Sequence, residues 1–432
     1  MNPKLTQIWH SPSVRNVGKL LSANVIAQAI GLLVYPILTR LYSPEDFGLL
    51  NLFLSIGSIL VLLATSEYQS AILLPSSENE AAGVARVAMR IMGGWLLFIS
   101  ILTIFSRPIS RIFEAPSLVH YFWLLLPYVG VMGAWSIYNA WLTRTRDFSQ
   151  ISIYQISQST IGVLTKLLFG WLNWLKSGLI VSSVLAPLLS LSIAFARSRE
   201  AFRNLWQPCN NSARELAYKY RQFPLYSLPR SLVNNLSGNL PALVLTPYFG
   251  LNELGFFAMA VTLSFRPITM ITSSIHQVLF ERVANMVREK QSIWKWLSTK
   301  WIMMFIIVIP IMIVLTVIMP QLVQLLLGAG WEQTATLIRY MMPWITCVFL
   351  IAPLAFISEV FGKQKLFLLI EIIYLALRIC AMIAGIWMKS FELAIILMSV
   401  AGTMVLFLQL VLYIFTLRRY ESTRLTHTSK QG

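Results

Sequence analysis

The sequence predicts an all-α integral membrane protein of about twelve transmembrane helices in two six-helix bundles, with both termini in the cytoplasm. Three observations carry that prediction. Apolar runs near 20 residues recur along the whole chain, the length a helix needs to cross hydrocarbon. Only 12% of the 432 residues are charged while 57% are hydrophobic, and a soluble domain carries about 25% charge. The basic residues also gather in alternate connections, as Lys and Arg do on the cytoplasmic side of a membrane.

The expected spans run roughly over 18–39, 47–67, 86–106, 120–141, 152–172, 178–196, 223–247, 253–275, 299–319, 335–358, 366–388 and 392–416. The segment before the first is polar and has no small-residue cleavage site after a short apolar region, so that span reads as retained. With the N-terminus inside, the inner segments hold 24 of the 34 basic residues, among them Lys4, Arg15, Lys19, Arg86, Arg144, Arg197, Arg221, Lys295, Lys363 and Arg418. The outer loops hold five: Arg40, Arg107, Arg111, Lys176 and Lys389. The net charge of +17 therefore belongs to cytoplasmic loops, and no nucleic-acid partner is expected. The longest inner connection, Arg197–Gln222, separates an N-terminal bundle (1–208) from a C-terminal bundle with its tail (209–432). The tail from Arg418 onward is polar and reads as disordered.

The first two spans meet at Thr39-Arg40-Leu41-Tyr42-Ser43-Pro44-Glu45-Asp46-Phe47-Gly48. Pro44 cannot continue a helix, and the acids after it suit the first turn of the next one. A second copy lies 207 residues later at Thr246–Gly255, where Thr39 pairs with Thr246, Tyr42 with Phe249, Asp46 with Glu253 and Gly48 with Gly255. The chain thus reads as two similar halves.

No G-x-x-x-x-G-K-[ST], H-E-x-x-H or paired-cysteine motif occurs, and Cys209, Cys347, Cys380 and four scattered histidines suggest neither disulfides nor a metal site. No cofactor is expected. His120 and Glu114 near an outer surface read as interfacial rather than catalytic, beside an aromatic belt of Tyr121, Phe122 and Trp123. The informative residues lie inside the spans, where an ionisable group costs about 2.5–3.5 kcal/mol and so faces protein or water. Lys166, Arg230, Arg266 and Arg378 make that intramembrane charge mainly cationic, with Glu371 in the eleventh span and Glu67 toward an inner end. Several sit on stripes at i, i+4, i+7 and i+11, one side of a helix. Asn24, Gln28, Gly31 and Tyr35 form one; Gln155, Ser159, Gly162 and Lys166 a second; Arg230, Asn234, Ser237 and Pro241 a third; Thr262, Arg266, Thr269 and Ser273 a fourth. Such stripes either glue helices together or close around a hydrated cationic cavity between the bundles, suited to an anionic solute. Prolines 224, 229, 241 and 247 in and around span seven fit a broken carrier helix. The candidate substrate-binding residues are Lys166, Arg230, Arg266, Asn24, Gln28, Tyr35, Gln155 and Asn234. Glu371, Arg378 and Glu67 are candidates for ion coupling or for mutual pairing.

Four stretches resemble bacterial polysaccharide flippases of the Wzx type: Thr39–Gly48, their first outer turn; Tyr68-Gln69-Ser70-Ala71-Ile72-Leu73-Leu74-Pro75, after their second span; Tyr220–Tyr226 through Leu240-Pro241, their seventh; and Gly255 to Pro267 with Ile275-His276-Gln277-Val278, their eighth. The resemblance implies the fold of the multidrug/oligosaccharidyl-lipid/polysaccharide exporters, a MATE-like V of two six-helix bundles. It implies transport of undecaprenyl-diphosphate-linked oligosaccharide for O-antigen or related glycans across the bacterial inner membrane, coupled to an ion gradient, with polysaccharide assembly proteins as further partners. A drug or cation exporter of the same superfamily and a lipid II flippase are the nearer rivals. A membrane-embedded glycan polymerase or ligase would be an enzyme, and the short outer loops leave no room for its catalytic domain.

Overall fold

Side-chain caps written into the sequence set where four of the helices start, at Ser43, Ser77, Asp147 and Ser212. The computed structural model describes residues 25–198, 203, 212–289 and 291–428, and among these every regular element is helical. Expectations for Lys4, Arg15, Lys19, Asn24, Cys209 and the 208/209 boundary fall outside the described residues. The chain forms two compact units, Met1–Gly255 and Phe256–Gly432.

In the first unit, α1 (Val25–Leu41) carries a turn at Val34 and ends at Tyr42. Helix α2 (Pro44–Thr65) starts where the turn chemistry requires: Ser43 is the N-cap, Asp46 N donates to its hydroxyl, and the Asp46 carboxylate accepts from Ser43 N at 2.8 Å. This reciprocal pair satisfies two N–H groups that the helix itself leaves open. At its far end Ser66 and Glu67 both adopt left-handed backbone, reversing the chain into α3 (Tyr68–Ala71). Ser77 caps α4 (Glu78–Ile104), the short α5 is Ser106–Ile112, and α6 spans Leu118–Arg144. Asp147 caps α7 (Phe148–Trp171), and α8 is Leu175–Arg197. On the polar side α9 (Ala213–Lys219) opens with a Ser212–Glu215 capping box. It buries Leu216 in a cluster with Val84, Ala88, Tyr138, Trp141 and Tyr154. Lys219 pairs with Glu80, and that partner raises the ammonium's pKa above its ordinary value.

Helix α10 (Leu228–Arg288) contains the expected seventh and eighth spans in one element. The expected breaks at prolines do not occur within it. Its interruption is Gly250, at φ 83°, a conformation that glycine adopts without a Cβ clash. The second unit continues with α11 (Trp294–Leu327), α12 (Glu332–Ile351), α13 (Gln364–Trp387) and α14 (Phe391–Thr428). Part of the outer connection expected near Pro320 is helical, since α11 runs on to Leu327. The expected disorder from Arg418 is also corrected: α14 continues to Thr428. Arg418 is held with its guanidinium 4.9 Å from the Trp294 ring, and Tyr420 packs on Phe361.

Nine helices among the described residues are long and apolar enough to cross a membrane, one of them containing the Gly250 bend. The chain is a multi-pass membrane protein. The fifth expected span, α7, is outside that group because of its Ser and Gln content.

Candidate functional site

The two copies of the Thr39–Gly48 turn meet in the first unit. A Cβ on Gly48 would stand 1.8 Å from the Leu251 carbonyl oxygen; one on Gly255 would stand 1.8 Å from the Pro44 carbonyl oxygen. Pro44 and Leu251 are themselves 207 residues apart. The contact, within the first unit, is therefore reciprocal: each copy of the turn gives a glycine to the first helical carbonyl of the other copy. Ser43, the cap of α2, corresponds to Gly250, the bend before Leu251. Thr39 and Thr246 are both buried, and each hydroxyl donates to the carbonyl four residues back.

Tyr42, in the same turn, organises the neighbouring helices. Its hydroxyl donates to the Lys166 carbonyl at 2.7 Å, and Gly170 and Gly178 leave the room its ring occupies. This anchors the end of α7 that carries Lys166, whose side chain is half-buried. Further along α7, the Ser159 hydroxyl donates to the Ala27 carbonyl of α1 at 2.5 Å, and Gly162 lies against Ala186. Part of the α7 stripe thus works as helix glue. Gln28, Tyr35 and Gln155 are all half-buried, and the Gln155 Oε1 atom is buried without a hydrogen bond among the described residues.

The sharper division lies on α10. Asn239 Nδ2 donates to Ser58 Oγ at 3.2 Å and to Asn235 Oδ1 at 3.0 Å, and Ser58 Oγ reaches Asn235 Oδ1 at 3.2 Å. These contacts tie one side of α10 to α2. At 3.6 residues per turn, Arg230 sits about 140° and 180° around the helix from Asn235 and Asn239. Asn234, Ser237 and Pro241 share that opposite side. Arg230 and Asn234 are exposed, and Gly238 beside them has nothing within 4 Å. The Arg230 stripe is therefore not the seam that holds α10 in place; Asn235 and Asn239 are.

The remaining candidates lie elsewhere. Glu67 is buried, and its carboxylate accepts from Ser70 Oγ at 2.8 Å and Gln69 Nε2 at 3.2 Å, closing the turn into α3. Arg266 is exposed on the second arm of α10, where the Thr269 hydroxyl donates to its carbonyl beside Pro267. Glu371 accepts from Gln409 of α14 at 3.2 Å, while buried Arg378 stacks on Tyr374 and Trp344 at 5.4 and 5.9 Å. Gly402 makes the space for that Trp344 indole. No group of three or more His, Cys, Asp or Glu among the described residues is placed to hold a metal ion.

Sequence reasoning counted Arg144 only as an inner charge. Its guanidinium in fact gathers four carbonyls, with Nη1 on Ile72 and Leu73 at 3.1 and 3.4 Å and Nη2 on Pro75 and Ser77 at 2.7 and 3.3 Å. That fork fixes the turn between α3 and α4 to the end of α6.

A family model described as polysaccharide biosynthesis protein matches residues 37–336. The succinoglycan biosynthesis transport protein ExoT of Rhizobium meliloti (strain 1021) is 23% identical over 323 residues, 73% of this chain. The match spans 63% of that relative's length. Among solved structures, the lipid II flippase MurJ in an inward closed conformation is similar with a TM-score of 0.72 at 13% identity, over 94% of this chain and 91% of the other. An inward-facing multidrug resistance MATE family transporter of the MOP superfamily gives 0.64 at 15% identity, over 93% and 96%. The fold is that of these transporters.

Proposed function

We propose that this chain, which belongs to the polysaccharide biosynthesis protein family, carries a lipid-linked glycan across the membrane. In the finer reading, it flips undecaprenyl-diphosphate-linked oligosaccharide, an O-antigen or related surface unit, from the cytoplasmic to the periplasmic leaflet of the bacterial inner membrane. It does so by alternating access coupled to an ion gradient, without a cofactor, and hands its product to polysaccharide assembly proteins. Its two bundles divide at 208/209.

The observation that carries this reading is the exposed Arg230–Asn234 side of α10, opposite the side tied to Ser58. An arginine at membrane depth costs about 2.5–3.5 kcal/mol against lipid, so an exposed one is stable where it meets water. Guanidinium donors match phosphate oxygens in pairs, and Asn234 adds an amide on the same side. A diphosphate headgroup drawn there is compensated for lost hydration, while its prenyl tail stays in lipid. Lys166, Gln28, Tyr35 and Gln155 are further polar candidates of the first unit, and Arg266 is a candidate cation of the second. The transport protein similarity and the shared transporter fold support the same class of activity. A cation exporter would need a free acid in the first unit, and the Glu67 carboxylate is engaged in its own turn.

The test is surface glycan in cells carrying Arg230→Ala or Lys166→Ala. Reduced glycan with unchanged protein in the membrane is expected. Normal glycan in both variants would remove these residues from the site.

A further inference from the structure

At the basic end of α11 lies a cavity of about 360 Å³ lined by Ser292, Lys295, Trp296, Thr299 and Lys300. Two ammonium groups line it, and no acid does among the described residues. Both lysines are exposed. The Thr299 hydroxyl already donates to the Lys295 carbonyl at 2.8 Å, so it offers a visiting group only its oxygen. Donors come instead from Lys295, Lys300 and Ser292. A further cation stands at this end of α11, since the Arg418 guanidinium lies 4.9 Å from the Trp294 ring.

The helix above the cavity is the least buried of the candidate spans among the described residues, with α4 next at 17%. Its apolar window is only 11% buried, against 50% for α2. Counting from Lys295 at 3.6 residues per turn, Thr299, Ile302, Ile306, Ile313 and Val317 follow on one side. The four aliphatic residues are each more than half exposed. The Lys295 side of α11 therefore joins the cavity to an apolar strip about 22 Å long, while Lys300, about 140° further around the helix, lines the cavity from its other edge. That pairing is complementary to an amphiphile with an anionic head and hydrocarbon chains, and basic cavities at the cytoplasmic ends of membrane helices are suited to phosphate headgroups.

We propose that this face of α11 is a binding site for an anionic glycerophospholipid of the surrounding bilayer, with the phosphate at Lys295 and Lys300 and an acyl chain along Ile302–Val317. A bilayer phospholipid is favoured over the prenyl diphosphate because the strip is the face of this helix least covered by protein, open to the lipid already there. The site lies wholly within the second unit, whereas Arg230 belongs to the first.

The test uses the purified full chain in vesicles of phosphatidylcholine doped with phosphatidylglycerol, with retained lipid read by native mass spectrometry. The unaltered chain retains phosphatidylglycerol preferentially. The K295Q/K300Q double variant lowers that preference by about thirtyfold at low salt, the worth of two surface cations, and by less as salt screens them. T299W fills the cavity, keeps both lysines and gives the same loss, which separates the site from charge alone. K363Q/K365Q, an equally basic pair at the start of α13, leaves the preference unchanged. Undiminished preference in both α11 variants, or an equal loss in K363Q/K365Q, overturns the site. Displacement of phosphatidylglycerol by undecaprenyl diphosphate at equimolar amounts overturns the choice of ligand, assigning the face to the transported lipid.

Discussion

Replacing Gly48 with alanine sets a methyl carbon 1.8 Å from the Leu251 carbonyl oxygen. Real Cβ contacts essentially never fall below 3.0 Å, so α2 and the start of the second α10 arm must part by about 1.2 Å. The obstructing atom is backbone, and no side chain can rotate away to absorb the methyl. Overpacking of this kind costs about 1–3 kcal/mol, and rigid backbone on both sides puts this case at the upper end. Helix propensity pulls the other way, since alanine in a helix interior is favoured over glycine by about 1 kcal/mol. The sign of the effect therefore decides whether the contact exists. Thermal unfolding of the purified chain in detergent, followed by tryptophan fluorescence, should place Gly48→Ala and Gly255→Ala both well below the parent. Gly93→Ala, with nothing within 4 Å of its new methyl, should equal or exceed it. Because the two glycines share one seam, the first substitution already opens room for the second. The double variant should then cost less than the two singles together, by about 0.5–3 kcal/mol of coupling. A parent-like Gly48→Ala, or strict additivity, would refute the reciprocal contact.

Other outcomes follow from the same geometry. Arg144→Lys keeps the charge but loses the fork on four carbonyls, so it should destabilise by about 1–3 kcal/mol and speed proteolysis between α3 and α4; parent-like protection would mean the fork is dispensable. Tyr42→Phe removes the bond to the Lys166 carbonyl and should cost about 1 kcal/mol, measured by unfolding, with a larger loss for Gly178→Ala, whose methyl would meet the Tyr42 hydroxyl at 2.6 Å. Asn235→Leu breaks the tie to Ser58 and should lower stability, whereas Arg230→Ala should leave unfolding unchanged; equal destabilisation by both would place Arg230 in a seam. Raised Lys219 binding of its proton makes the pair with Glu80 intact below the lysine's ordinary pKa and lost only as pH climbs through its higher folded value. Docking of α9, read by cysteine crosslinking to α4, should therefore be flat from neutral to mildly alkaline pH.

Residue types made the helices legible, but not the partner of each helix face. Ser43, Pro44 and Asp46 spelled out the start of α2 because a capping box is local chemistry. The repeat of Thr39, Tyr42, Asp46 and Gly48 at 246–255 was legible as a pattern. That the two glycines would touch was not, since close approach of two backbones has no signature beyond glycine itself. The stripe of Gln155, Ser159, Gly162 and Lys166 was read correctly as one side of α7, yet periodicity cannot say whether a hydroxyl faces water or the Ala27 carbonyl. The same ambiguity applies to Asn235 and Asn239, polar residues of span seven with the same i, i+4 spacing as Arg230 and Asn234, so spacing alone could not tell which pair ties the helix to α2. Arg144 was invisible as a clamp because its four acceptors are backbone carbonyls, which every sequence supplies. The continuation of α14 past Arg418 was missed because a polar composition alone suggests solvation, while the Trp294 and Phe361 rings that receive Arg418 and Tyr420 lie far away in the chain.

The central claim is that α10 has a wet side and a dry, tied side. In a cysteine-free background, single cysteines at Asn234, Ser237, Asn235 and Asn239 can be treated in membranes with a charged, membrane-impermeant maleimide. Labelling at 234 and 237, slowed by undecaprenyl diphosphate, with little at 235 and 239, is the predicted result. Equal labelling on both sides, or none at 234 and 237, would contradict it.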